Sequence, residues 1–292
     1  MRCELQLPKV IFSLILVCFY PNIVSAQYGL YGERERIGWV NDNGSLKGEV
    51  DCVIINDYEL KNVNGKEQKG NFIQKWIYYF NDSGNVDYYE RYSASGMLDS
   101  KVVYVYDHCN NNIRTVLYAS DKNVLITVET QYNEQNQKIS ERNYQNDELL
   151  NVFTFEYKGS MVIVKETFGV LAGYADTYYL DSEGRVIKEE SSDGRRIKMT
   201  TTNEYDLNGE IKETITRDSH GNISFVYQYS YDENSSIIKY TSKSGVSVDA
   251  VWYYTNDERG SCVQKKEYKT ETEFPVKLRE YEIKYKQKTT NN

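Results

Sequence analysis

The chain is poor in the residues that usually carry enzyme chemistry. Its 292 residues include two histidines, His108 and His220, and both fall in segments that read as turns. It contains no H-E-x-x-H, no pair of C-x-x-C, no G-x-S-x-G elbow and no phosphate-cradling glycine loop. That excludes the common zinc, nucleophile-elbow and P-loop chemistries. His108 adjoins Cys109, but neighbours on a strand face opposite ways, so adjacency does not make a Cys–His pair. Glu189 and Glu190 fail as a glycosidase dyad on the same ground. Carboxylates of neighbouring strands are still free to converge. The acidic turns Asn41-Asp42-Asn43-Gly44 and Asn81-Asp82-Ser83-Gly84 do not complete a calcium-loop spacing. The sequence thus predicts no catalytic residue, no metal and no cofactor.

Proline, cysteine and positive charge are also scarce. Of three prolines, Pro8 and Pro21 lie near the N-terminus, leaving Pro275 to interrupt a sheet ladder. Beyond Cys3 and Cys18, the remaining Cys52, Cys109 and Cys262 are odd in number and widely spaced. Single packed thiols are expected rather than a disulfide framework, with one bridge plus a free thiol as the alternative. The net charge is −8; Arg2, Lys9 and Glu4 contribute +1, so the chain beyond residue 26 stands at −8 − 1 = −9. No basic stripe is present, which argues against nucleic acid and anionic membrane surfaces as partners.

One long apolar run exists, Val10 to Tyr20. It is too short for a bilayer-spanning helix and suits an export signal, with Arg2 and Lys9 before it and Val24-Ser25-Ala26 as a cleavage site after it. Residues 1–26 are therefore expected to leave, and the mature chain to begin at Gln27. A lipidated Cys18 and a retained anchor helix are the rivals. Val17 is too large for a lipidation site, and Cys18 lies inside the run. No later segment approaches 18 apolar residues. The expected location is exported (periplasm, outer surface or secreted), without stable membrane insertion.

What the chain has in abundance is tyrosine, with 28 copies. Tyrosine, threonine, valine and isoleucine favour pleated, half-buried surfaces. A strand ending in an aromatic or aliphatic residue, then Asp or Asn, then a turn, recurs with lead positions 80, 106, 132, 180, 205 and 231, with a weaker copy at Tyr157-Lys158-Gly159 and a degenerate one at Thr255-Asn256. A second turn falls about half-way through most repeats, as at Ser95-Gly96, Asp193-Gly194 and His220-Gly221. Between turns, residues alternate with period two. Ile223, Phe225, Tyr227, Tyr229 and Tyr231 point one way, and Ser224, Val226, Gln228 and Ser230 the other. Each repeat reads strand, turn, strand, turn, with a period of about 25 residues.

Tyr205-Asp206-Leu207-Asn208-Gly209, Leu180-Asp181-Ser182-Glu183-Gly184 and Phe80-Asn81-Asp82-Ser83-Gly84 give the pattern its outline. It resembles the YD-repeat, or Rhs-type repeat, of bacterial exported proteins, over about residues 72–285. The resemblance implies β-hairpins; the longest family members curl their sheet into a shell around a toxin. This chain is short and several copies lack the tyrosine or glycine, so a separate C-terminal toxin domain is not expected.

The expected fold is an all-β antiparallel meander of tandem hairpins forming an elongated, curled sheet. Residues 27–71 would be an N-terminal cap and irregular first repeat, with Lys61 to Gly70 as a polar loop, and 72–292 the array. The expected role is non-enzymatic: a binding or scaffold module for a protein or glycan at the cell envelope. Tyr229, Tyr231, Trp252 and Tyr254 are the candidate contact residues, although an aromatic row across a sheet also serves packing. An envelope hydrolase with carboxylates converging across strands, and an accessory of an exported toxin system, are the alternatives.

Overall fold

A computed structural model describes residues 46–233, 237–244, 247–269 and 274–286. The export signal, Cys18 and the Asn41–Gly44 turn lie outside these residues. Among the described residues, eighteen strands follow one another. They are β1 (Val50–Val63), β2 (Lys66–Phe80), β3 (Val86–Tyr92), β4 (Leu98–Tyr106), β5 (Asn112–Ala119) and β6 (Val124–Tyr132). Next come β7 (Lys138–Gln145), β8 (Glu148–Lys158), β9 (Met161–Phe168), β10 (Ala175–Leu180), β11 (Val186–Ser192) and β12 (Ile197–Tyr205). The last are β13 (Ile211–Asp218), β14 (Ile223–Tyr231), β15 (Ile237–Ser244), β16 (Ser247–Asn256), β17 (Cys262–Lys269) and β18 (Lys277–Tyr285). Lys61–Gly70, read as a polar loop, is the exposed end of the β1–β2 hairpin, turning at Asn64-Gly65.

Each strand pairs antiparallel with the next, and β1 also pairs with β18, from Val50↔Tyr285 to Glu59↔Lys277. The sheet is therefore a closed barrel. This corrects the expectation of an open, curled strip: the hairpin repeats are present, but the first and last strands meet. Two physical causes act together. Successive hairpins shift register by one residue beside their turns, as at Tyr79/Phe80, Val105/Tyr106 and Glu204/Tyr205. Such bulges bend a strand and increase its twist, and their repetition accumulates curvature. Closure also pairs the backbone groups that two free edges would leave open.

The repeated Asp or Asn builds the turn. In Asp107, Oδ1 accepts the N–H groups of Cys109 (2.8 Å) and Asn111 (2.9 Å), while Asn110 N–H donates to the Asp107 carbonyl. Asp206 does the same with Asn208 and Glu210. The fourth residue needs a left-handed backbone (φ 63° at Asn110, 83° at Gly209), which is why Asn or Gly recurs there. The lead tyrosine is a strut. Its hydroxyl donates to a carbonyl on an adjacent strand: Tyr106 to Val86 (2.7 Å), Tyr132 to Asn112 (3.0 Å), Tyr205 to Val186 (2.8 Å) and Tyr231 to Ile211 (2.9 Å). We predict that Tyr106→Phe or Tyr205→Phe lowers stability by about 1 kcal/mol each in urea titration, the usual net worth of such a bond. No loss would show that the hydroxyls are incidental.

Alternation gives every strand two faces. One carries both buried clusters. The first, around Val53, Ile55, Tyr254, Cys262 and Tyr281, spans the β1–β18 closure. The second, around Phe153, Phe155, Val162, Val164, Tyr178 and Val186, covers β8–β11. This is the inner wall. The other face bears the ion pairs Lys101–Glu90, Lys165–Glu156, Lys188–Glu190 and Lys212–Glu204. A Lys at the middle of a lipid-facing wall costs roughly 2–4 kcal/mol, so this outer face has the chemistry of a water-facing surface.

Candidate functional site

The four aromatic residues singled out in the sequence share the inner wall, on β14 and β16. Their surroundings differ from an open platform. Tyr254 is 6% exposed and belongs to the closure cluster. Tyr231 is tied to Ile211 by its hydroxyl, and burial pushes its titration well up. Tyr229 and Trp252 pack against Tyr240, with centroids 5.0 and 4.7 Å away. The row continues through Tyr227, 5.7 Å from Tyr240, to Phe225, 6.4 Å from Tyr227. Phe225 is 42% exposed beside the Asp218 turn, at the end of the barrel opposite the Asp107 and Asp206 turns. The reachable part of the row is therefore its Phe225–Tyr227 end. Those residues stood in the sequence alternation, but nothing local told them apart from the covered ones.

Carboxylates do converge across strands. Glu189 and Glu190 face opposite ways, as the strand geometry requires. Glu190 turns outward to Lys188 (2.5 Å) and the Tyr179 hydroxyl (2.8 Å), and Lys188 holds its carboxyl below the usual range. Glu189 turns inward opposite Tyr178, with Asp176 two residues from Tyr178 on the same face. Burial first, and the charge of Asp176 second, push the Glu189 carboxyl up to about 7. Burial also raises Asp176, partly offset by a hydrogen bond from Ser191. Nearer the mouth Glu166 is 4% exposed and raised by burial; its Oε1 accepts the Leu171 N–H at 3.3 Å. Among the described residues, no Lys or Arg lies within ion-pair distance of these three. Asp176 was legible as an inward residue from its spacing to Tyr178 and Leu180, but its nearness to Glu189 depends on register, which no local pattern carries.

Register also fixes what lies beside the acids. Asp176 is opposite Ser191, and Ser191 opposite Met199. Glu189 is opposite Thr201, Thr201 opposite Thr216, and Thr216 opposite Phe225. The two threonine hydroxyls are hydrogen-bonded at 3.1 Å. Met199 is 43% exposed. The inner wall from β10 to β14 thus runs from unneutralised carboxylates, through small hydroxyls, to reachable apolar side chains.

The remaining reactive groups form no site of their own. Cys52 and Cys262 are buried, and burial pushes the Cys262 thiol up to about 12. Cys109 is exposed beside His108 in the Asp107 turn. Among the described residues, no group of three or more His, Cys, Asp or Glu is placed to hold a metal.

No protein-family model and no curated protein sequence matches the chain. Among solved structures, it is similar to a porin-like protein from Bacteroides uniformis, at 11% identity and TM-score 0.29, covering 80% of this chain and 96% of that one. It is similar to the TcdB2–TccC3 protein lacking its hypervariable C-terminal region, at 9% identity and TM-score 0.24, covering 82% of this chain and 18% of that one. A LolA superfamily protein from Nitrosomonas europaea matches at 7% identity and TM-score 0.22, covering 83% and 88%. At these scores the architecture rests on this chain's own strand pairing.

Proposed function

We propose that the chain is an exported, non-enzymatic binding module that takes a protein or glycan on the inner wall of its barrel at the cell envelope. The observation that carries this reading is the exposure of Phe225 and Met199, 42% and 43%, on the face that elsewhere holds the buried clusters. Apolar area left open there is available to a partner at about 25 cal/mol per Å² covered. Export rests on the leader read from residues 1–26.

In-cell cross-linking of the tagged chain, followed by mass spectrometry of the envelope fraction, tests it. A reproducible partner whose cross-links map to β10–β16 supports it; cross-links confined to the outer face overturn the placement. For a glycan partner, Trp252→Ala with Tyr227→Ala is expected to abolish retention on a polysaccharide column. Unchanged retention would leave a protein as the partner.

The Asp176–Glu189 pair favours a second reading, a hydrolase whose raised carboxyl supplies a proton. Turnover of chromogenic glycosides or peptides that is lost in Glu189→Gln would establish it. An inert protein across such substrates removes it.

A further inference from the structure

Resting on the inner-wall reading, we infer that the wall of β10–β14 binds a cationic, amphipathic peptide segment. Two rows of the sheet set the specificity. In one, Asp176 is followed across the strands by Ser191 and Met199; in the other, Glu189 is followed by Thr201, Thr216 and Phe225. Each row begins with a carboxylate that has no cation within reach among the described residues and ends in an apolar side chain that is more than two-fifths exposed.

Charge complementarity selects the occupant. A neutral sugar would cover Phe225 but leave both acids uncompensated. An anionic ligand would meet like charge at Asp176 and Glu189. A lysine or arginine beside an apolar side chain satisfies both ends of a row. An extended peptide places like-facing side chains two residues apart, the same period as the wall that receives it. Ser191 and Thr201 between the ends are short and half-buried and leave room for the peptide backbone, while Thr216 is already covered.

The test uses the purified exported chain and fluorescently labelled peptides of alternating lysine and leucine, or glutamate and leucine, read by anisotropy, with a polysaccharide panel in parallel. The lysine–leucine peptide is expected to bind, more weakly as salt rises, and the glutamate–leucine peptide to stay free. Asp176→Asn with Glu189→Gln should weaken binding about tenfold or more and flatten the salt dependence. That variant removes uncompensated charge, so loss of the fold is not the expected cause, and a melting curve checks this. Phe225→Ser should weaken binding while keeping the salt slope. Equal binding of the two peptides, or an unchanged affinity in the double variant, overturns the inference. Retention on polysaccharide without peptide binding overturns it while leaving the inner wall as a binding surface. Binding of neither overturns both.

Discussion

Arg279→Ala is expected to cost the barrel about 3–5 kcal/mol, among the largest effects of any single substitution, because it strands a buried charge at the closure. Asp57 is 2% exposed on β1. Its carboxylate accepts Arg279 Nε at 2.6 Å and Nη2 at 2.9 Å from β18, and Gln74 Nε2 at 2.9 Å from β2. The guanidinium also lies 5.1 Å from the Trp76 ring centroid. One buried carboxylate thus ties the first strand to both its neighbours. Burial alone would raise the Asp57 carboxyl, but the hydrogen bond and charge of Arg279, with the Gln74 hydrogen bond, hold it below its ordinary value. A depressed folded pKa means that the stabilisation is present above the unfolded value of about 3.9 and is lost as pH falls through the folded one. Urea titration of Arg279→Ala and of Asp57→Leu with Arg279→Met separates the effects. The single variant should be severely destabilised and the double variant much less so, since an apolar pair leaves no charge behind. Equal losses would mean that the pair itself, and not its completeness, holds the closure.

Raising the pH from 5 to 8 is expected to remove on the order of 2 kcal/mol through Glu189. Its carboxyl is pushed up to about 7 in the folded chain, by burial first and by Asp176 second. The folded state therefore binds more protons than the unfolded one between an unfolded pKa of about 4.3 and the folded value. That contribution is complete at low pH and disappears as pH rises through about 7, the opposite sense to Asp57. Partial solvent contact is why the expected loss is smaller than the full shift would give. Glu189→Gln should raise stability at pH 8 and flatten the profile between pH 5 and 8. A profile that keeps its slope in the variant would place the titration elsewhere.

The hairpins were legible because each is written locally. A left-handed position three residues beyond an Asx side-chain acceptor demands Gly or Asn, and that demand repeats at Asn81, Asp107, Asp181 and Asp206. The period-two alternation gave the two faces. Closure was not legible, because Asp57 and Arg279 are separated by 222 positions and no residue near either announces the other. For the same reason the sequence could reject Glu189–Glu190 but could not pair Glu189 with Asp176. The lead tyrosines stood out as a row. Only the structure shows hydroxyls bonded to carbonyls at Val86, Asn112, Val186 and Ile211, which makes that part of the row a framework.

Closure is the central claim, and the distance between β1 and β18 tests it most directly. Ile54 and Glu282 are paired across the two strands. Spin labels at Ile54→Cys and Glu282→Cys, in a chain whose Cys52, Cys109 and Cys262 are replaced, report that distance by double electron–electron resonance. The closed barrel predicts labels within about 20 Å, adjacent strands being about 4.8 Å apart. Labels roughly 80 Å apart, the width of an open sheet of this many strands at that spacing, would contradict it.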